Sequence, residues 1–154
     1  MSEIQVVWFK RDLRVRDHRP LYEAAQRGPV LPLYIVEPSV IHAPDYSRRH
    51  WLFTRQCLMD LRDSLQMLGA PLVVRQGETL DVLSELHQTH LIAAVWAHEE
   101  TGNDITYQRD RAVHGWTSEN GVTFHEIPNN GVIRRLKNRD ERLKIWNERM
   151  RQPI

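Results

Sequence analysis

Five short apolar runs alternate with longer amphipathic stretches along these 154 residues, and no other feature narrows the fold as much. The runs cover 4–9 (Ile4, Gln5, Val6, Val7, Trp8, Phe9), 30–36, 71–75, 91–97 and 122–127. Helical spacing fills the gaps at 19–27, 48–68, 79–88 and 103–118, and a last, basic helix is expected over 138–151. The pattern is clearest at 48–68, where Trp51, Leu58, Leu61, Leu65 and Leu68 recur at three- and four-residue steps and Gly69 supplies the stop. Short strands that alternate with helices form parallel sheets covered on both faces. The expected class is therefore α/β: a three-layer, doubly wound, Rossmann-like sheet of five parallel strands, with the order 3-2-1-4-5 taken from fold-level rules. Pro38 and Pro44 mark an irregular connection before the long helix.

Sheets of this kind collect ligands at the carboxyl ends of their strands, near the point where the order reverses. The first run breaks into Lys10, Arg11, Asp12, Leu13, Arg14, Val15, Arg16 and Asp17, and the fourth into His98, Glu99, Glu100, Thr101, Gly102 and Asn103. The expected order brings both loops to one crevice. Neither a Gly-x-Gly-x-x-Gly fingerprint nor a Walker loop follows the first strand, so backbone cradling of a pyrophosphate is not expected there. Two readings of the charged turn stay open. It is a ligand wall, or a set of ion pairs that fix the turn and cap the next helix, a role that suits Asp12 and Arg14 better than Lys10 and Arg11. Glu99 and Glu100 offer acceptors to a heterocyclic ring or a cation, beside a glycine that admits close approach. The spacing is not His-Glu-x-x-His, which argues against a metal site in that loop. His87 and His90 are expected as polar ends of a helix. The five tryptophans are expected in packing, Trp8 and Trp96 in strands and Trp51, Trp116 and Trp146 on apolar helix faces.

The 21 lysines and arginines nearly cancel 20 acidic residues, leaving a net charge of +1 and no basic excess of the kind nucleic-acid binding requires. The single cysteine, Cys57, permits no intrachain disulfide. It falls beside Leu58 in the long helix and is expected as a buried, inert thiol. A reducing, cytoplasmic compartment is the simplest setting, with no secretory leader and no run of membrane-spanning length. The expected division is one α/β domain over 1–130 and a basic helical tail over 131–154. The tail's arginines and lysines, from Arg134 through Arg149, are mixed with acids, which favours a solvated face or a docking surface over DNA readout. No Ser/His/Asp, Cys/His or other catalytic constellation is present.

The stretch Trp8, Phe9, Lys10, Arg11, Asp12, Leu13, Arg14, Val15, Arg16, Asp17, His18, Arg19, Pro20, Leu21 resembles the opening signature of the DNA photolyase/cryptochrome family, Trp-Phe-Arg-x-Asp-Leu-Arg-x-x-Asp-Asn-x-x-Leu. Further similarity lies in the helix from Ser47 to Gly69 with Pro71, Leu72, Val73, Val74 and Gly77 after it. Tyr107, Gln108, Arg109, Asp110 and Gly131, Val132, Ile133, Arg134, Arg135, Leu136 extend it over essentially the whole chain. The resemblance implies the family's amino-terminal α/β domain, which holds a light-harvesting antenna chromophore in the members that have one. It also implies a carboxy-terminal helical domain, absent from these residues, that binds FAD and damaged DNA. On that expectation the chain ends near an interdomain linker, the full-length protein is a flavoprotein and carbon–carbon lyase of DNA repair or a light sensor, and this portion alone is not catalytic.

The resemblance also bears on the antenna. Folate-binding members carry Asn-Glu four and five residues before the Asp of the Arg-Asp motif, and counted back from Asp110 those places hold Ile105 and Thr106. A deazaflavin or flavin is thus implied in preference to folate. Relatives binding those often have an Arg in the first turn of the long helix, where His50 aligns with Arg48 and Arg49 just upstream. The cofactor-binding residues expected are Lys10, Arg11, Tyr34, Ile35, Val36, Glu37, Arg49, His50, Glu99 and Glu100. Two other readings stay open: a stand-alone nucleotide-binding module of the universal-stress-protein type, and a structural docking domain with an empty pocket.

Overall fold

The structure is a computed structural model that describes residues 3–129, 131–134 and 136–153; Arg135 of the basic tail lies outside them. Its elements follow the expected alternation: β1 Ile4–Phe9, α1 Arg19–Ala25, β2 Val30–Val36, α2 Pro38–Ile41, α3 Arg48–Met67, β3 Val73–Gln76, α4 Thr79–Thr89, β4 Ile92–His98, α5 Asp104–Glu119, β5 Thr123–Ile127 and α6 Glu141–Met150. All four strand pairings are parallel, in the order β3-β2-β1-β4-β5. The doubly wound sheet of order 3-2-1-4-5 is thereby established.

Alternation along β1 explains the three layers. Val6 and Trp8 pack with Val82, Leu83 and Leu86 of α4 and Val113 of α5. Val7 and Phe9 pack on the other face with Ala24 of α1 and Leu58, Leu61 and Leu65 of α3. A central strand buried on both sides has no polar alternation to show, which is why it reads as a continuous apolar run. Burying each of these aliphatic side chains contributes about 1.5–3 kcal/mol against the entropy of ordering the chain.

Local signals set the ends of the helices. Ser47 Oγ accepts the His50 N–H at 3.3 Å to start α3. Gly69, at φ +79°, closes it, with the Gly69 and Ala70 N–H groups returning to the carbonyls of Gln66 and Leu65. Asn103 Oδ1 accepts the Thr106 N–H at 3.1 Å to start α5. The irregular connection expected at Pro38 instead forms the single turn α2, because proline suits the first helical position. The basic helix is shorter than 138–151. Trp146 on it is 41 % exposed, so it does not share the packed role expected for it. Among the described residues no helix is long and apolar enough to cross a membrane.

Candidate functional site

A crevice of about 680 Å³ opens at the carboxyl ends of β1 and β2, beside the point where the strand order reverses. The turn after β1 supplies Lys10, Arg11, Leu13 and Arg14, and the end of β2 supplies Tyr34, Ile35, Val36 and Glu37. Val40, Ile41, Asp45 and Tyr46 come from α2 and the connection after it, His50, Phe53, Thr54 and Cys57 from α3, and Glu100, Asn103, Thr106 and Arg109 from the β4–α5 connection and α5. Trp8 and Phe9 complete the lining.

A five-member ion network underlies this crevice, with Lys10, Glu37, Glu100 and Arg109 in its lining and Asp110 behind them. Arg109 Nη1 donates to Glu37 Oε1 at 2.7 Å, its Nη2 to Glu100 Oε2 at 3.0 Å and its Nε to Asp110 Oδ1 at 3.0 Å. Lys10 Nζ donates to the other Asp110 oxygen at 2.6 Å. Both cations also lie against the Trp8 ring, at 4.9 Å for Lys10 and 4.7 Å for Arg109. Burial opposes the charge on Arg109, yet the carboxylates of Glu37, Asp110 and Glu100 outweigh it and raise its pKa. Burial raises the Glu37 carboxyl, and Arg109 and the Thr79 hydroxyl, which donates to Oε2 at 2.6 Å, offset only part of that rise. Burial also pushes the Tyr34 phenol up. Isolated, any of these charges would be costly in this setting; each has a partner instead.

Glu100 has a second set of partners. Its Oε1 accepts the backbone N–H of Thr101 at 3.0 Å and of Gly102 at 2.7 Å, just ahead of the cap of α5. A Cβ on Gly102 would stand 2.7 Å from Arg11 Nη2 and 2.8 Å from both Glu100 Oε1 and Thr106 Oγ1, so the loop closes this tightly only with glycine.

These residues match the DNA photolyase family over positions 5–141. The chain belongs to the DNA photolyase family. It is 37 % identical over 112 residues to a cryptochrome DASH of Gloeobacter violaceus, covering 68 % of this chain and 22 % of that protein. It is 32 % identical over 105 residues to the chloroplastic/mitochondrial cryptochrome DASH of Arabidopsis thaliana, covering 64 % of this chain and 18 % of that one. Among solved structures, an archaeal photolyase from Sulfolobus tokodaii superimposes with a TM-score of 0.78 at 25 % identity, over 97 % of this chain and 35 % of that chain. That crystal structure is described as containing two FAD molecules, with the implication of a novel light-harvesting cofactor. The chain thus spans only a fraction of the length of the photolyases and cryptochromes it resembles.

Within the photolyase fold, Lys10, Arg11, Tyr34, Ile35, Val36, Glu37, His50 and Glu100 all line the one crevice. Arg49 and Glu99 do not. Arg49 is exposed on the first turn of α3, and Glu99 turns toward Arg134, 3.8 Å away, which also grips Glu126. Lys10 is an interior ion-pair partner, 6 % exposed, whereas Arg11 is 69 % exposed with only Glu100 at 3.9 Å. Cys57 is half-buried and faces the crevice, contrary to the buried thiol expected from Leu58 beside it. Arg109 belongs to a motif visible in the sequence, the Arg109–Asp110 pair, but nothing near it marks it as a site residue, since its partner Glu37 is 72 positions away. Asn103 stands in the loop expected at the crevice, whereas nothing local distinguishes Tyr46 or Phe53.

Beneath the turn, Asp12 joins two histidines. Its Oδ2 lies 2.6 Å from His18 Nε2 and 2.6 Å from His98 Nδ1, and its Oδ1 accepts the Lys10 N–H at 2.8 Å. Burial would raise the Asp12 carboxyl, but the hydrogen bonds from His18 and His98 dominate and hold it far below the usual range. The three side chains form the single His/carboxylate cluster with metal-ligand proximity among the described residues. Its hydrogen bonding is that of a lock. His18 Nδ1 accepts the Leu21 N–H at 3.1 Å, capping α1, which keeps the neutral ring's proton on Nε2, facing Asp12, where a metal would need a lone pair. Asp12 suits the structural role expected for it, and His18 joins it to the start of α1.

Proposed function

We propose that this photolyase-family domain holds a planar, conjugated light-harvesting chromophore, a flavin or deazaflavin, in the crevice above β1 and β2. The observation that carries the reading is the crevice itself. Its volume of about 680 Å³ lies in the range of pockets that enclose drug-sized rings, and Trp8, Phe9, Tyr34, Tyr46 and Phe53 give it aromatic surface around a small, fixed set of polar groups. Ile35, Val36 and Val40 would contact the faces of the ring, while Glu37, Glu100 and Arg109 present acceptors and donors to its edge. When bound, the chromophore supplies absorption of light and its transfer as excitation; the protein supplies position and exclusion of water. The recipient in this reading is FAD in a carboxy-terminal domain of a longer polypeptide, where light drives repair of damaged DNA or signalling. The lengths of the relatives and the two FAD molecules described for the Sulfolobus tokodaii photolyase support it.

The test is a fluorescence titration of the purified chain with riboflavin and with a 5-deazaflavin. Saturable binding of at least one at micromolar concentration is expected. Absence of saturation by either at 100-fold higher concentration refutes the reading.

A further inference from the structure

We infer that one exposed flank of α3 docks an acidic amphipathic helix of a partner protein, whose carboxylates at seven-residue steps meet Arg48, Arg55 and Arg62. This surface is separate from the crevice and does not depend on what occupies it.

Arg48, Leu52, Arg55, Met59, Arg62 and Gln66 follow one another along α3 at alternating steps of four and three residues. All six are exposed, Leu52 by 46 % and Met59 by 64 %. The arginines recur every seventh residue, which sets them about 10.5 Å apart along one side of the helix. At about 100° per residue, this row flanks the buried stripe of Leu58, Leu61 and Leu65 on one side. His50, Phe53 and Cys57 flank the stripe on the other side and face the crevice.

Among the described residues none of the three arginines pairs with a carboxylate or donates a side-chain hydrogen bond. The helix offers them no acid of its own: Asp60 and Asp63 stand neither three nor four residues from any of them, the spacings at which helical side chains meet. On α1, by contrast, Arg19 and Arg27 both reach Glu23. A second helix laid along the flank of α3 has the same rise per residue, so carboxylates at its seven-residue steps face the three guanidinium groups in register. Apolar residues between those carboxylates then cover Leu52 and Met59, as in other pairings of an amphipathic helix with a receptive face. Nucleic acid fits the row less well. The chain's net charge is only +1, a phosphate backbone gains nothing from Leu52 and Met59, and it meets Asp60 and Asp63 on the same helix.

The probe is a synthetic helical peptide of three heptads, with glutamate at every seventh position, leucine four residues after each, and alanine and glutamine elsewhere. It is labelled for fluorescence anisotropy and titrated with the purified chain at low and high salt. Saturable binding with a dissociation constant of about 10–100 μM is expected at low salt, weakening at high salt. A peptide of the same composition with its glutamates spread around the helix should bind at least about tenfold more weakly, since three aligned pairs of about twofold to fivefold each are lost. Arg55→Glu should weaken the aligned peptide by at least about tenfold. Replacing that peptide's middle glutamate with arginine should restore most of the loss toward the altered protein and weaken binding to the unaltered one. Arg55 is exposed and unpaired, so the variant should keep its circular dichroism spectrum; Arg48→Glu, paired with a swap at a terminal glutamate, takes its place if it does not. Equal affinity for the two starting peptides, no rescue by the charge swap, or no saturation by the aligned peptide at about 1 mM overturns the inference. So does tighter binding to a duplex DNA of about 20 base pairs that Arg55→Glu abolishes, which would make the row a phosphate contact.

Discussion

At the scale of residues, the group with the largest consequence is the Asp12 lock, and its chemistry predicts a pH dependence. Burial lowers the pKa of His98, and the hydrogen bond to Asp12 offsets only part of that. The folded ring therefore binds a proton less readily than the unfolded ring, whose pKa is near 6.5. From there down to the folded value the unfolded chain carries more protons, so stability is complete above this window and falls as pH falls through it. The lowered Asp12 carboxyl adds a further loss once unfolded aspartate begins to protonate, below about pH 4. His125, stacked on Trp96 at 3.7 Å, is lowered too, by burial first and Arg27 second, and contributes in the same direction. Urea midpoints should therefore drop between pH 7.5 and 5.5. His98→Asn, which keeps a donor toward Asp12 without a titrating ring, should be about 1–2 kcal/mol less stable at pH 7.5 and show a shallower drop. Equal drops in both proteins would exclude His98 as the source. The lock was not visible in the sequence: His18 meets Asp12 within one turn, but His98 lies 86 positions from Asp12 and reaches it only through the pairing of β1 with β4.

Among the elements, the connection carrying α2 behaves as a strap fixed at both ends. Glu78 accepts the Ser39 N–H at 3.0 Å and its hydroxyl at 2.6 Å, and Asn103 Nδ2 donates to Asp45 Oδ2 at 2.7 Å. Between these points Val40 and Ile41 line the crevice, and Tyr46 lines it just beyond the second. Asn103 thus serves two elements, capping α5 through Oδ1 and holding the strap through Nδ2. Aspartate at position 103 keeps the cap, since Asp and Asn are equivalent there, but sets two carboxylates against each other. Asn103→Asp is expected to leave the melting temperature within about 3 °C, about 1 kcal/mol for a chain of this size, while making the Tyr46 bond several-fold more sensitive to chymotrypsin. Unaltered cleavage would mean that packing and the Ser39–Glu78 bonds hold the strap without Asn103. The long, strongly periodic elements were legible because each carries its own signal: the stripe and Gly69 in α3, the apolar run in β4. The turn α2 was not, because four residues show no period and Pro38 begins a helix as readily as it interrupts one.

For the molecule as a whole, the sheet and the crevice are largely separate constructions that meet at Trp8, Phe9 and Ile35, which pack in the apolar layers and also line the crevice. The apolar layers under α1 and α3 and under α4 and α5 depend on residues such as Val6, Leu33, Leu61 and Val95, none of which lines the crevice. That separation explains why the fold could be inferred from the sequence while the site emerged only in part. Layers follow from periodicity within each element, whereas the crevice is assembled from strand ends and helix faces far apart along the chain, with the Arg109 to Glu37 pairing its clearest case. The separation also makes the crevice removable. Thr54 is half-buried on α3, faces the crevice and belongs to neither apolar layer. Thr54→Trp should fill the space a ring would take, weakening riboflavin binding at least about tenfold, about 1.4 kcal/mol of lost apolar contact. The melting temperature should move by less than about 3 °C, because the added ring occupies open volume and displaces no packed side chain. In a longer polypeptide that also binds FAD, the same substitution should abolish the contribution of the second chromophore to the action spectrum and leave the FAD-excited part intact. Loss of both would show that the crevice supports the fold of the catalytic domain; loss of neither would place the chromophore elsewhere.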